Sequence, residues 1–256
     1  MKIAIFDTET TSLDKPFCYN IGYVIVDTKR EEWEYLVERE FIIEQVWHNL
    51  PLFSTAYYAE KRPLYVSAMR AKRAQMVKFG YATQQMIRDF KQHEVEIAFA
   101  FNSSFDERVF NFNCDWFKVI NPFDDIPVHD IRAYFIDYVT NEGADFFSFC
   151  ERHERFTESG NYSTTAETAF QFFSNEPDFE EDHTALSDSY IETYILESCY
   201  NAGVDITKEL KAPKSVPREQ ERYFTLVIKE GESDMTYGYK CKKITYYKKK
   251  NMVVLK

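Results

Sequence analysis

The sequence predicts an α/β chain, a mixed central β-sheet flanked by helices, with a helical insertion and a small β-rich appendage at its C-terminal end. Three observations predict it. The chain opens with three β-rich runs joined by short polar turns, at 2–6, 19–26 and 33–43, the pattern of an antiparallel meander. From about residue 95 strand-like and helix-like runs alternate, which implies a mixed sheet with helices packed on it. With 45% apolar and 17% aromatic residues and only 7 Gly among 256 residues, the chain has material for a large packed core and few flexible linkers.

Taken in order, the run 2–6 (KIAIF) is β-rich and breaks into the polar DTETTSLD. The runs YNIGYVIV and 33–43 follow as further strands, separated by a turn-like DTKREE. Between 52 and 94 the pattern changes: Tyr57, Tyr58, Tyr65, Met69, Met76, Met86, Ile87 and Phe90 fall at helical spacings. This insertion is basic in part, through Lys61, Arg62, Arg70, Lys72, Arg73 and Lys78. VEIAFAF (95–101) is a buried strand leading to Asn102, and Ser103 or Ser104 is placed to cap the helix that carries Asp106 and Phe110. PVHD (127–130) is a short strand. Helices are expected over 131–139, 145–153, 165–173 with Thr164 and Glu167 as a capping box, and 183–200. The stretch 201–217, with NAG, Pro213 and Pro217, reads as a linker, and strands at 222–228, 237–247 and 252–255 make the appendage. The expected division is 1–205 and 206–256.

The net charge of −11 is segregated. Residues 206–256 hold 13 Lys and Arg against 6 Asp and Glu, whereas the first 205 hold 18 against 36. An acidic body with a basic tail is compatible with a polyanionic substrate, so the overall sign excludes nothing. YGYKCKKITYYKKK interleaves aromatics with lysines, which suits stacking on bases with phosphate contacts, and equally suits lysines guarding a solvated edge strand. Cys18, Cys114, Cys150, Cys199 and Cys241 are scattered without CxxC spacing and read as buried thiols. No run approaches a membrane span and the N-terminus lacks a signal pattern, so a cytoplasmic protein without membrane contact is expected.

Four acidic residues and a histidine in three separated clusters are the candidate chemistry: Asp7 and Glu9 in FDTETTSL, Asp106 in AFNSSFDERVF, and His183 with Asp188 in EDHTALSDSY. Asp7 and Glu9, two apart at a strand end, leave the same face. Each cluster alone has an ordinary explanation: a solvated strand end, compensation of a helix N-terminus by Asp106, a local hydrogen bond from His183 at a helix start. Brought into one pocket, the carboxylates would repel one another unless divalent cations neutralised them.

DTETT near the N-terminus, N-x-x-F-D in mid-chain and H-x-A-x-x-D near residue 188 together resemble the three motifs of the DEDDh 3′→5′ exonucleases, an RNase H-like (DnaQ-like) group that includes the proofreading ε subunit of bacterial DNA polymerase III. The resemblance covers roughly residues 1–200. His183 lies five before Asp188, with Thr184 at minus four, which matches the His rather than the Tyr subclass. Two departures stand: Ser12 occupies a position where the family often has Gly, and the stretch 52–94 is longer than a minimal family domain, resembling the larger phage-encoded members.

The resemblance implies an RNase H-like fold and a two-metal phosphodiester hydrolase. Two Mg²⁺ or Mn²⁺ ions would be held by Asp7, Glu9, Asp106 and Asp188, with His183 as general base near neutral pH. By position, Thr8 and Thr10 would offer donors to a terminal nucleotide and Leu13 would pack on its base, with Asn102 and Phe105 lining the same cleft; core packing is the competing role for Leu13 and Phe105. The implied substrate is a single-stranded or frayed DNA 3′ end. RNA is the alternative, because discrimination at the 2′-hydroxyl is not legible in the sequence. A DNA polymerase or other replication protein is the implied protein partner, and a module that binds such a protein without catalysis is a third reading.

Overall fold

In a computed structural model of the chain, residues 1–29, 32–141 and 144–218 are described, together with the backbone of four strands between 222 and 255. Three antiparallel strands open the chain: β1 (Lys2–Thr10), β2 (Cys18–Asp27) and β3 (Glu34–Ile43). Then come α1 (Glu44–Trp47), α2 (Leu50–Phe53), a 3₁₀ turn at Ala59–Lys61, α3 (Arg62–Arg70), β4 (Gln75–Val77) and α4 (Phe79–His93). The remainder of the body is β5 (Ile97–Ala100), α5 (Ser104–Phe117), β6 (Val128–Asp130), α6 (Ile131–Asn141), α7 (Ala144–His153), α8 (Ala166–Ser174) and α9 (Ala185–Asn201).

The six strands form one mixed sheet in the order β4-β3-β2-β1-β5-β6. β2 runs antiparallel to both neighbours, while the pairs β3 with β4, β1 with β5 and β5 with β6 are parallel. This is the helix-flanked mixed α/β sheet that the sequence predicts. Because side chains alternate along a strand, β1 feeds two cores. Ala4 and Phe6 pack with Phe79, Met86 and Phe90 of α4 and Val109 and Phe110 of α5. Ile3 and Ile5 pack with Tyr134 and Phe135 of α6 and Ile195 and Leu196 of α9.

α9 crosses the second face, and two residues of β2 determine how closely. A Cβ placed on Gly22 would lie 2.1 Å from the backbone of Ala185 and Leu186, so only glycine allows the helix to seat there. Asn20, two residues earlier on the same face, accepts a hydrogen bond from the Ala185 N–H at 2.8 Å. That replaces a cap: Thr184 stands at the N-cap without a side-chain hydrogen bond.

Several expectations are corrected. β1 continues to Thr10 instead of ending at residue 6, because polar DTET stays paired with β2 as far as an irregularity between Glu9 and Thr10. The stretch 52–94 is not all helix. Pro51 and Pro63 start separate short helices, Lys72 at φ 59° follows the end of α3, and Met76 lies in β4, which pairs with Phe41–Ile43 at the sheet edge. Ser103 stands at the N-cap of α5 without capping it, its hydroxyl turning to Glu107 at 3.2 Å, and Thr165 caps α8 in place of Thr164. His183 precedes α9 and is not part of it.

The insertion is fixed at its base by aromatics. Trp47 meets Phe53 and Tyr65 edge-on at 5.1 and 6.0 Å, and the Arg62 guanidinium lies 4.2 Å over its ring. The stretch read as a linker lies against the body: Ile206 and Val216 are buried, the Tyr134 hydroxyl donates to the Lys208 carbonyl at 2.9 Å, and Arg218 pairs with Glu151. Beyond it, β7 (Arg222–Glu230) pairs with β8 (Ser233–Cys241) and β9 (Ile244–Tyr247) with β10 (Met252–Leu255), so the expected strand 237–247 is two strands. The side chains there, including Cys241 and the lysine–tyrosine run, lie outside the described residues. The other four cysteines are free and buried. Among the described residues no helix is long and apolar enough to cross a membrane.

Gly22→Ala is expected to cost ~2 kcal/mol or more in urea denaturation, at the upper end of overpacking penalties, because the obstructing atoms are backbone.

Candidate active site

Asp7 and Glu9 leave β1 on the face that α9 covers, opposite Gly22 and Asn20 in register. Seating the first turn of α9 on Gly22 brings Asp188 down onto them. One ligand atom each from Glu9, His183 and Asp188 lie within 4.8 Å of one another. Asp106 enters from the first turn of α5. The Thr8 hydroxyl donates to its Oδ1 at 2.6 Å, so Thr8 is committed to holding this carboxylate. Lower down α5, buried Asn113 donates to the Pro16 carbonyl at 2.7 Å and accepts from the Cys18 N–H at 3.2 Å, which ties the helix to the β1–β2 connection.

The electrostatics follow from burial and like charge. Burial lifts Asp7 to about 7 and, with the charges of Asp7, Glu181 and Glu9, lifts Asp188 to about 10. Glu9 and Asp106 are pushed well above the usual carboxylate range, first by burial and then by their acidic neighbours. A fifth carboxyl, Glu192, sits one helical turn beyond Asp188, 3% exposed and raised by burial and by Asp7, Asp106 and Asp188. Glu181 joins from the loop before α9, its carboxyl lifted to about 7 by burial and then Glu167.

Among the described residues, buried Asp188 Oδ1, Glu192 Oε2 and Glu181 Oε1 have no hydrogen-bond partner. Orphaned carboxylate oxygens are costly in a protein interior, and hard divalent cations take oxygen ligands of this kind. The residues present therefore fit a hard divalent cation, with Glu9, His183 and Asp188 near enough to one another to share it.

His183 adopts the left-handed region, φ 51°. Its ring stacks on Tyr58 at 4.1 Å and 11°, and its Nδ1 lies 3.6 Å from Glu181 Oε2. Burial, and then the charge of Lys61, lower its pKa, so the imidazole is neutral at pH 7 and able to accept a proton.

The structure brings together Asp7, Glu9, Asp106, His183 and Asp188. Of the other sequence candidates, Thr10 turns its hydroxyl to the Ser12 carbonyl at 3.4 Å. Leu13 is 72% exposed in the loop after β1, away from any core. Asn102 is exposed at φ 61°, its N–H donating to Asp130 at 2.8 Å, and Phe105 packs against the core beneath the Arg108 guanidinium. Sequence reasoning missed Glu181, Glu192, Tyr58 and Lys61. For Glu192 a signal existed: it occupies the same helical stripe as Ala185, Ser189, Leu196 and Cys199, where a charge is out of place.

No family model matches the chain, and no curated protein matches it. Among solved structures, E. coli Exonuclease I in complex with a dT13 oligonucleotide is similar over 79% of this chain, at 13% identity and a TM-score of 0.39. The match covers 41% of that protein, so this chain spans about two fifths of its length.

Two outcomes follow from the carboxyl cluster. Its folded-state pKa values lie above unfolded ones, so the metal-free fold binds more protons than the unfolded chain; that stabilisation is complete below about pH 4 and is lost as pH rises through about 7 and on toward 10. The Tm of metal-free protein should fall from pH 5 to 9 in differential scanning calorimetry, and Mn²⁺ should restore it. Glu192→Gln should raise the metal-free Tm at pH 8 by ~2–4 °C, the shift that about 1 kcal/mol gives in a domain of this size, and should flatten the pH dependence.

Proposed function

We propose that this chain is a metal-dependent 3′→5′ exonuclease that hydrolyses DNA from single-stranded or frayed 3′ ends to nucleoside 5′-monophosphates. The observation that carries the reading is the convergence of Asp7, Glu9, Asp106 and Asp188 from β1, α5 and α9, with His183 at their edge. These four carboxylates would hold two Mg²⁺ or Mn²⁺ ions, which when bound activate a water and neutralise charge on the leaving 3′ oxygen. His183, neutral at pH 7, takes the proton of that water. The water oxygen bonds to the terminal phosphorus as the P–O3′ bond breaks; the 3′ oxygen takes a proton from solvent water, and His183 returns its proton to solvent to complete the cycle.

Around the carboxylates, Thr8 holds Asp106, and Thr10, at the end of β1, would offer a donor to the terminal nucleotide. Exposed Leu13 is available to pack on its base, and Asn102 and Phe105, which precede Asp106 in the chain, are the remaining candidates to line the cleft. The body 1–205 carries this chemistry. The segment 206–256, with its excess of Lys and Arg, would add positive charge to attract the nucleic acid backbone or a replication protein.

The test is a gel of 5′-labelled single-stranded DNA and RNA of one sequence, incubated in Mg²⁺, Mn²⁺ or EDTA beside Asp7→Ala and Asp188→Ala. The expected result is a metal-dependent ladder shortening from the 3′ end of DNA, slowed at least ~10²-fold in either variant, the scale of losing one electrostatic catalytic group. Faster cleavage of RNA would reassign the substrate. Folded protein that leaves both polymers intact in Mn²⁺ would leave the binding-module reading in its place.

A further inference from the structure

We infer that the insertion between β3 and β5 serves as a clamp on the histidine loop: Tyr58, Lys61 and Tyr65 are positioning residues that hold His183 against the carboxylates. The inference rests on His183 being the proton acceptor of the hydrolysis proposed above.

The loop needs such a clamp. α8 ends at Ser174 and α9 begins at Ala185, so His183 lies in a stretch without helix or strand hydrogen bonds to fix it. Its backbone is left-handed, a conformation that a non-glycine residue keeps only where its surroundings impose it. A proton acceptor tolerates little drift, since displacement by 1 Å can cost ~10²-fold in rate.

Three side chains from one short segment meet three consecutive loop residues. The Lys61 ammonium donates to the carbonyls of Asp182 and Glu181, at 2.9 and 3.5 Å. The Tyr65 hydroxyl donates to the His183 carbonyl at 3.1 Å. The Tyr58 ring lies flat on the imidazole, and the same Lys61 ammonium is 4.9 Å from that ring, so main chain and side chain of the loop are held by one unit. Glu181 Oε2 lies 3.6 Å from Nδ1, at the edge of the ring.

The clamp has a rigid foundation. Tyr65 is fully buried and meets Tyr19 edge-on at 5.8 Å, and the Tyr19 hydroxyl in turn donates to Glu9 Oε2 at 3.4 Å. One aromatic step therefore links the histidine loop to a carboxylate of the site. Tyr57, next to Tyr58, is 85% exposed, so the inward turn of Tyr58 is a specific placement and not the burial of a whole apolar patch.

The test joins kinetics to spectroscopy. The chain has 5 histidines, so ring signals of ¹³C-histidine-labelled protein are few, and His183→Gln assigns the one of interest. Stacking on Tyr58 places the His183 ring protons in a shielded position. Tyr58→Ala and Lys61→Met are expected to shift the His183 signal and to lower kcat ~10- to 100-fold, with KM within about threefold. Tyr58→Phe, which keeps the stacked ring, should retain both the signal and kcat. An unmoved His183 signal in both Tyr58→Ala and Lys61→Met, or kcat within twofold of the unmodified protein, would overturn the clamp. Unmodified protein without nuclease activity would instead overturn the hydrolase reading, and the spectra alone would then decide whether the loop is clamped.

Discussion

The close approach of the first turn of α9 to the backbone of Gly22 is the contact on which the rest of the site depends. The approach requires a missing side chain on β2, an acceptor for a buried helix N–H, which Asn20 supplies, and a helix whose buried hydroxyls are satisfied within it. Ser189 and Thr193 meet the last requirement by returning their hydroxyls to the carbonyls of Ala185 and Ser189. With those conditions met, α9 can lie buried between the sheet, α6 and α8 and still deliver an acid at its N-terminal end. Asp188 is positioned by the packing of a whole layer and not by a loop.

That arrangement sets stability against function. The same packing that fixes Asp188 also holds Asp7, Glu9, Asp106 and Glu192 near one another, inside a body already rich in acid. Lys61 lowers the pKa of Glu9 and Asp188 from the insertion side, but burial is the largest influence on each carboxyl. A fold built this way stores electrostatic strain that protons or cations must relieve, a common signature of a working site. The unpaired oxygens of Asp188, Glu181 and Glu192 are where that relief would enter.

Much of this was legible in the sequence because it is encoded locally. Alternation in KIAIF and YNIGYVIV marks strands whatever packs on them, and the three acidic clusters are visible as short words. What was hidden depends on contacts between distant residues. Met76 matches a helical period, yet it pairs with Ile42 as a three-residue edge strand. His183 looks like a helix residue until the helix start is fixed by Asn20, a residue far away in the chain. Leu13 and Phe105 could each have been core or surface by composition, and the fold separates them, the first into solvent and the second against the core. Tyr58 and Lys61 read as ordinary members of a basic helical stretch, because nothing near them in sequence announces a loop more than a hundred residues on.

The aromatic base of the insertion also gives the protein an optical reporter of its own. Of the three tryptophans, Trp33 packs beside Tyr200 at the opposite end of the α9 layer and Trp116 is largely in solvent. Trp47 alone is buried against Tyr65, under the Arg62 guanidinium. Its emission is therefore sensitive to the packing beneath the histidine loop, and a change in fluorescence on adding cation or oligonucleotide would register motion of that region without any label.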